Sequence, residues 1–568
     1  MSKLKIAIAQ LDPVVGAFDA NYRKIKAAYE RACADGVDLL LTPELGICGY
    51  PPHDLMDRPE MFSRTSQVLQ LLAEETRNQS CDLVVGHVTS FVGEVGRAAQ
   101  NCVSILSQGQ VVFTQAKSLL PTYDVFDEAR YFEPARETLP FEWRGVKVGI
   151  AVCEDLWASD PALTRRIYRR DPVEDFEKAG VELVISISAS PYEWGKRKRR
   201  EELHAAIARR LKAPLVYVNQ VGATDEILFD GSSFVVDAQG VQMGRLPAFE
   251  KGHAVLQFEV DSKKRSTRIE WLQGEREDQQ CAEIELLARG LVTGIREYFQ
   301  RTGFKSAVLG LSGGIDSAVV AALAVKALGA EQVLGVAMPS QYSSGHSLED
   351  AEESARKLGM PFEIRPIKFL FSTSLREIAD QRGELAPVAQ ENLQSRMRGL
   401  ILMTLANHYQ ALVLTTGNKS ELATGYCTLY GDMVGALAPL GDVLKTRVYE
   451  LARYINSAWG AWIPQNSIDK APSAELRPNQ KDQDSLPPYE RLDSLLEMYL
   501  EKGIAVETIL QALGGDTSWV ESTLKMVERN EFKRRQAAPV LKVSPKAFGI
   551  GRRIPVAKQW EGAPFHSR

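Results

Sequence analysis

One stretch constrains this chain more than any other: Gly310, Leu311, Ser312, Gly313, Gly314, Ile315, Asp316 and Ser317 in unbroken order. A short apolar run at 306–309 leads into it, and an apolar, helix-forming run at 318–328 follows. A strand that turns through two adjacent glycines into a helix brings backbone amides to the helix N-terminus. There they face an anion, and glycine lets a ligand approach the backbone closely. The Ser312 and Ser317 hydroxyls add donors, and Asp316 at the helix start is placed to hold a hard cation such as Mg²⁺. A Gly-Gly pair alone would be a tight turn with a capping Asp; the strand–SGGxDS–helix context makes it a phosphate site. With no Gly-x-x-x-x-Gly-Lys-Ser/Thr present, it is not a Walker A loop.

The surrounding pattern sets the architecture. Downstream, predicted strands at 332–337, 362–365 and 411–415 alternate with helices at 347–358 and 393–409, which implies a parallel sheet with right-handed crossovers. Residues 466–490, rich in Pro, Asn, Gln and Asp, read as a long loop. Upstream, short buried-type runs at 5–9, 39–41, 83–85, 111–113, 146–152, 183–187 and 215–218 alternate with amphipathic stretches such as 21–34 and 199–211. That alternation predicts a layered α/β or α+β domain. The charged text at 261–277 reads as a connector, and a helix at 281–302 opens the second half. No repeat relates the halves, so two domains of different architecture are expected.

Composition excludes several classes. The 568 residues are 45% hydrophobic and 25% charged with a net charge of -5, which is neither a disordered chain nor a basic nucleic-acid-coating protein. No apolar run approaches the roughly 18 residues of a membrane span, and the N-terminus reads as a strand rather than a signal peptide. Seven scattered cysteines without a Cys-x-x-Cys pair give no zinc site and favour a reducing, cytoplasmic setting.

The first half carries its own chemistry. Glu44 (in TPELGICGY), Lys117 (in AKSLLPTYDVFDEARYF) and Cys153 (in AVCEDLW) each follow a predicted strand. If those strands are neighbours, the three side chains converge at one rim and can run acyl transfer. Cys153 would be the nucleophile, Glu44 the general base, and Lys117 the cation for a thiolate or developing oxyanion.

Both halves resemble known families. GLSGGIDS resembles the pyrophosphate loop of the N-type ATP pyrophosphatases, which adenylate an oxygen of their substrate; the loop alone does not choose among their members. TTGNKSELATGYCTLYGD (415–432), ENLQSRMRG (391–399) and FKRRQAAPVLKVSPKAFG (532–549) together resemble NAD synthetase. That resemblance implies a doubly wound parallel sheet of adenine nucleotide alpha hydrolase type. It puts the 310–317 loop and Thr416 on ATP, and Asn392, Glu421 and Lys533 on deamido-NAD⁺, with Mg²⁺ on Asp316 and Glu421. The first-half motifs resemble the Glu-Lys-Cys triad of the nitrilase, or carbon–nitrogen hydrolase, family. This implies an α-β-β-α sandwich, with Glu128 as the supporting second glutamate.

The pair of halves is similar to the glutamine-dependent NAD⁺ synthetases. The implied organisation is a glutaminase at 1–265, a connector at 266–280 and a synthetase domain at 281–568. Tyr123, Ser190 and Lys196 would then surround L-glutamine. The family implies a cytoplasmic homo-oligomer, dimer or octamer, with an internal ammonia tunnel and no nucleic-acid or membrane partner. Loop 340–345, small and polar, is expected to order over ATP and deamido-NAD⁺. Two alternatives stay open on the residues: an amidating ligase for a different carboxylate, and a degenerate nucleotide sensor.

Overall fold

The computed structural model describes residues 2–160, 167–261, 266–277, 281–378, 385–478, 480–514 and 518–560. The chain divides into two compact units, Met1–Thr224 with Leu228–Cys281, and Asp225–Ile227 with Ala282–Arg568.

The first unit is built on two large sheets. The seven-stranded sheet runs, edge to edge, Ser266–Gln273, Gly252–Asp261, Ser2–Gln10, Leu39–Leu41, Asp82–Ser90, Ala99–Ser107 and Gln110–Ala116. The six-stranded sheet runs Gln242–Arg245, Phe234–Val236, Leu215–Asn219, Leu183–Ser188, Val146–Val152 and Phe141–Trp143. Side chains from both sheets share one core: Ile6, Ile8, Leu39 and Val84 meet Val148, Ile150, Ile185 and Val216. On the outer face of the second sheet, Val173 and Phe176 from helix Pro172–Ala179 pack with Leu203 and Ile207 from helix Lys196–Leu211. Helices Phe18–Ala34 and Pro59–Glu75 bury Ile25, Tyr29, Val68 and Leu72. The strands Leu39–Leu41 and Leu183–Ser188 are buried at every position, which is why they read as continuous rather than alternating runs.

Within 261–277, expected as a connector, the chain forms a strand. Ser266–Gln273 is an edge strand paired antiparallel to Gly252–Asp261, with Phe258 opposite Ile269 and Leu256 opposite Trp271. Ile269 and Trp271 turn one face to the shared core while Arg268 and Glu270 take the other. The charged flanks masked a two-residue period.

In the second unit four parallel strands stand in the order Phe362–Ile364, Val333–Ala337, Ala307–Gly310, Leu412–Val413. In chain order this is 3-2-1-4, so the winding reverses between Ala307–Gly310 and Leu412–Val413. Ligands of open parallel sheets bind in the crevice at such a reversal, beyond the carboxyl ends of the strands. Helix Pro387–Tyr409 starts six residues earlier than predicted, with Pro at its first turn, where a missing N–H costs nothing. The segment read as one long loop at 466–490 carries short helical pieces, Gln465–Asp469 and Asp482–Asp484, and ends in helix Tyr489–Leu496. Among the described residues no helix is long and apolar enough to cross a membrane.

Candidate active sites

The first site is assembled across two sheets, not along the rim of one. Glu44 follows Leu39–Leu41 and Lys117 follows Gln110–Ala116 in the seven-stranded sheet, with two strands between them; Cys153 follows Val146–Val152 in the other. Convergence therefore depends on the packing of sheet on sheet. The Lys117 ammonium donates to Glu44 Oε1 and to Glu128 Oε1, both at 2.8 Å, and all three side chains are at most 5% exposed. Two of its three N–H bonds are used, which leaves one for a substrate.

Glu44 is held on both oxygens: Asn101 Nδ2 donates to Oε1 at 2.7 Å and the Ala189 amide to Oε2 at 2.8 Å. Tyr50 OH donates to Glu128 Oε1 at 2.8 Å. Burial would depress the Lys117 pKa, but Glu128, Glu44 and Cys153 outweigh it and hold the ammonium well above its ordinary value. Burial also raises Glu128, to about 7; Lys117 opposes the rise and Glu44 adds to it.

Cys153 is 7% exposed and stands at φ 44°, a left-handed conformation costly for a residue with a Cβ. The strand Val146–Val152 breaks there into the helical turn Cys153–Ser159. Asp155 braces this turn: its Oδ2 accepts the Val152 amide at 3.0 Å, and its Oδ1 accepts the Ser118 and Leu119 amides at 2.8 and 2.9 Å. One carboxylate thus ties the cysteine turn to the lysine loop. Burial pushes the Cys153 thiol up and Glu44 adds to that, while Lys117 pulls the other way.

The three residues assigned to glutamine fall into two groups. Tyr123 OH donates to Glu154 at 3.0 and 3.1 Å, Tyr168 OH does so at 2.7 Å, and Lys196 acts on the same carboxylate. The Lys196 ammonium also lies 5.7 Å from the Trp157 ring centre. Ser190 is buried, its amide bonded to Asn219 Oδ1 at 2.8 Å. The basic run that opens helix Lys196–Leu211 is partly buried: Arg200 is 1% exposed and paired with Asp230, and Arg197 meets Glu277 at 3.0 Å. Asn101, Asp155, Glu154 and the Ala189 amide were not singled out from sequence. Only Glu154 and Asp155, beside the cysteine in CEDLW, carried a local signal.

The second site is a cavity of about 300 Å³ lined by Gly310, Leu311, Ser312, Gly314, Ile315, Asp316 and Ser317, with Thr416 and Glu421 across from them. Gly313 is turned away, at φ 80°, where a Cβ would lie 2.2 Å from the Ser347 carbonyl oxygen; only glycine fits. Ser312 Oγ accepts the Gly314 amide at 3.2 Å and meets Ser317 Oγ at 3.1 Å, which closes the turn on itself.

Asp316 does not cap its own helix. Its Oδ1 accepts Asn418 Nδ2 at 3.0 Å, and its Oδ2 pairs with Lys445. The Lys445 ammonium also stands 3.5 Å from Glu421 Oε1. Burial raises Glu421, to about 8; Lys445 resists this, and Asp316 and Asp482 reinforce it. Asn418 caps helix Lys419–Thr424, accepting the Glu421 amide at 3.0 Å, so one residue positions both carboxylates.

Among the described residues no group of three or more His, Cys, Asp or Glu is arranged around a metal position. Asp316 and Glu421 nevertheless supply the donor chemistry a magnesium site needs: two hard oxygen groups held to one ammonium, at a cavity with room for phosphate and water ligands.

Asn392 and Lys533 do not line the cavity; both hold its wall. Thr428 Oγ1 donates to Asn392 Oδ1 at 2.9 Å, and the Lys533 ammonium donates to the Gly425 and Cys427 carbonyls at 2.7 and 2.8 Å. Arg534 likewise donates to the Leu422 and Ala423 carbonyls, at 3.1 and 2.7 Å. These cations close the C-terminal end of the helix that carries Glu421, where carbonyls lack partners. Lys445, Asn418 and Asp482 were missed by sequence reasoning.

Comparison with known proteins agrees with both halves. A carbon–nitrogen hydrolase family model matches residues 5–269, and an NAD synthase family model matches residues 287–537. The glutamine-dependent NAD(+) synthetase of Synechocystis is 46% identical over 97% of this chain and 98% of its own length. That of Acinetobacter baylyi is 40% identical over 99% of each. The solved glutamine-dependent NAD⁺ synthetase of Acinetobacter baumannii, in complex with ADP, is 37% identical with a TM-score of 0.76, covering 99% of this chain and 100% of that one. With both catalytic halves matched and nearly the whole length shared at this identity, the chain belongs to the glutamine-dependent NAD⁺ synthetases, glutamine-hydrolysing ligases that join a nitrilase-type domain to an NAD synthase domain.

Proposed function

We propose that this enzyme amidates deamido-NAD⁺ through an adenylated intermediate, with ammonia released from L-glutamine at Cys153 and passed internally to the synthetase cavity. The observation that carries the reading is the Lys117 ammonium bridging Glu44 and Glu128 beside a strained, buried cysteine. In the same chain a glycine turn lies at the reversal of a parallel sheet.

In the glutaminase, Glu44 takes the thiol proton as Cys153 Sγ attacks the amide carbon, and the remaining Lys117 N–H meets the developing oxyanion. Glu44 returns the proton to the departing ammonia, and water then hydrolyses the thioester to glutamate. Glu128 keeps Lys117 in place, and Tyr123, Ser190 and Lys196 surround the glutamine.

In the synthetase cavity the amides of residues 312–317 and Thr416 hold ATP. The nicotinate carboxylate, with Glu421 beside it and Asn392 and Lys533 bracing the cavity wall behind, attacks the α-phosphorus and pyrophosphate leaves. Ammonia then adds to the activated carbonyl and AMP leaves. Asp316 and Glu421 would hold Mg²⁺, which when bound neutralises phosphate charge. Internal transfer keeps ammonia from being protonated to ammonium, which is not nucleophilic.

A cytoplasmic homo-oligomer fits this reading. Helices Lys368–Ile378 and Pro387–Tyr409 leave Phe369, Ile378, Val388 and Leu400 exposed, apolar side chains of the kind that copies cover in an assembly. Light scattering gives its order.

The deciding assay follows NAD⁺ and AMP from deamido-NAD⁺ and ATP, with glutamine or ammonium chloride as nitrogen source. Equimolar NAD⁺ and AMP with both sources is expected. Turnover of a different carboxylic acid in preference to deamido-NAD⁺ would overturn the substrate assignment.

A further inference from the structure

Three cations line the synthetase cavity among the described residues: Arg398, Lys445 and Lys470. Two are already spoken for. Lys445 sits between Asp316 and Glu421, and Lys470 bonds Ser347 Oγ and lies 3.4 Å from Glu475. Arg398 differs. Among the described residues it enters no ion pair, and its hydrogen bond there runs from Nε to the Met338 carbonyl at 3.1 Å.

A guanidinium has five N–H donors in a planar fork. One is used, so the terminal nitrogens remain for a ligand. Burial lowers the Arg398 pKa, and the more distant Glu475 and Asp432 only partly restore it. Taking a cation out of water without a partner anion is costly, and an incoming anion removes that cost.

The position of Arg398 identifies the anion. Met338 directly follows strand Val333–Ala337, which pairs with Ala307–Gly310, the strand that enters the phosphate turn. A Cβ on Gly310 would lie 3.3 Å from Met338 Cε and 3.5 Å from Leu402 Cδ1, and Leu402 is one helical turn beyond Arg398. On the other flank, a Cβ on Gly399 would lie 2.8 Å from the Tyr430 carbonyl oxygen and 3.0 Å from that of Gly431. Arg398 therefore stands between the phosphate turn and the wall that ends in Asp432.

We propose that Arg398 binds a phosphate group of a nucleotide in this cavity through the fork of its two terminal nitrogens. The proposal rests on the reading that the cavity takes ATP and deamido-NAD⁺. The phosphate belongs either to the triphosphate or to the diphosphate bridge of the dinucleotide, and the two are separated by titrating each alone.

The test uses the full-length enzyme and the variants Arg398→Ala and Arg398→Lys. Calorimetric binding of ATP with Mg²⁺, and separately of deamido-NAD⁺, is combined with ammonia-dependent kinetics, thermal melting and basal glutaminase turnover. Loss of a bidentate, charge-assisted contact weakens binding about 10- to 100-fold. Arg398→Ala is expected to raise Kd and KM by that factor for one nucleotide, with kcat changed far less and glutaminase unchanged. Arg398→Lys should recover part of the loss, and the wild-type affinity should fall more steeply with salt than that of Arg398→Ala. A shift confined to ATP assigns the triphosphate; one confined to deamido-NAD⁺ assigns the diphosphate bridge.

Affinities within about twofold of wild type in a folded Arg398→Ala would overturn the proposal. So would Arg398→Lys matching Arg398→Ala with an equal drop in melting temperature, because Arg398 then only holds the Met338 carbonyl. A folded wild type that binds neither nucleotide would remove the reading of the cavity and the proposal with it, an outcome distinct from a failure of Arg398 alone.

Discussion

The two centres of this enzyme are built on opposite plans. In the glutaminase, the charged groups of the cysteine site are already bonded to other protein groups: Lys117 to Glu44 and Glu128, Glu44 to Asn101 and the Ala189 amide. In the synthetase cavity the polar groups face an open volume of about 300 Å³, the phosphate turn is bonded to itself, and two carboxylates share one lysine. The first site is preorganised for a small neutral substrate. The second is electrostatically unfinished, and on the proposed reading its balance is completed by highly charged substrates. A glutamine adds no net charge to a buried triad, whereas ATP and a dinucleotide bring several negative charges that the cavity must meet with cations.

Four experiments test that contrast, from the largest effect to the smallest. Cys153→Ala removes the proposed nucleophile of one plan only. Glutamine-dependent NAD⁺ formation should fall by at least about three orders of magnitude while synthesis from high ammonia persists. Equal loss with both donors would merge the two sites into one.

Asp316→Asn removes a charge from the unfinished site. Synthesis should drop with either nitrogen source by about two to three decades, the usual effect of losing one electrostatic partner of a transition state. Near-full ammonia-dependent turnover would show that the bonds to Asn418 and Lys445 are only structural.

Asp155→Asn tests preorganisation without touching the reacting atoms. An amide cannot accept from the Val152 amide on one side and from Ser118 and Leu119 on the other, because one of its ends is itself a donor. Glutaminase kcat should fall about 10- to 100-fold with a smaller change in KM, and ammonia-dependent synthesis should be spared. A loss in KM alone would mean that the tie serves substrate binding and not the Cys153–Lys117 geometry.

The smallest effect concerns communication. The loop before helix Gly345–Leu358 is held by local bonds, such as Ser340 N to Ser343 Oγ at 3.0 Å and Tyr342 N to Ser340 Oγ at 3.1 Å, and by one long-range bond from Ser344 Oγ to Glu475 Oε1 at 3.2 Å. ATP with deamido-NAD⁺ should accelerate glutamine hydrolysis a few-fold in wild type, and shortening 341–344 should remove that acceleration. Equal acceleration in both proteins would release the loop from any coupling role.

What could be read in the sequence was local. GLSGGIDS announces its turn because strand, glycines and helix are contiguous, and Glu44, Lys117 and Cys153 each stand in a short motif of their own. The parallel sheet was legible for the same reason: each buried strand is a continuous apolar run followed by its crossover helix. Tertiary structure decided the partners. Lys445 meets Asp316 from 129 positions away and Ala189 meets Glu44 from 145, separations at which no local pattern remains. It also decided that Cys153 and Lys117 belong to different sheets, and that the charged text around Ile269 and Trp271 closes a sheet edge. Residue types and their spacing determine which groups are available and which short elements carry them. Which charge ends beside which depends on how whole sheets pack, because that packing is driven by the summed burial of apolar faces, and the ionisable residues are carried along with it.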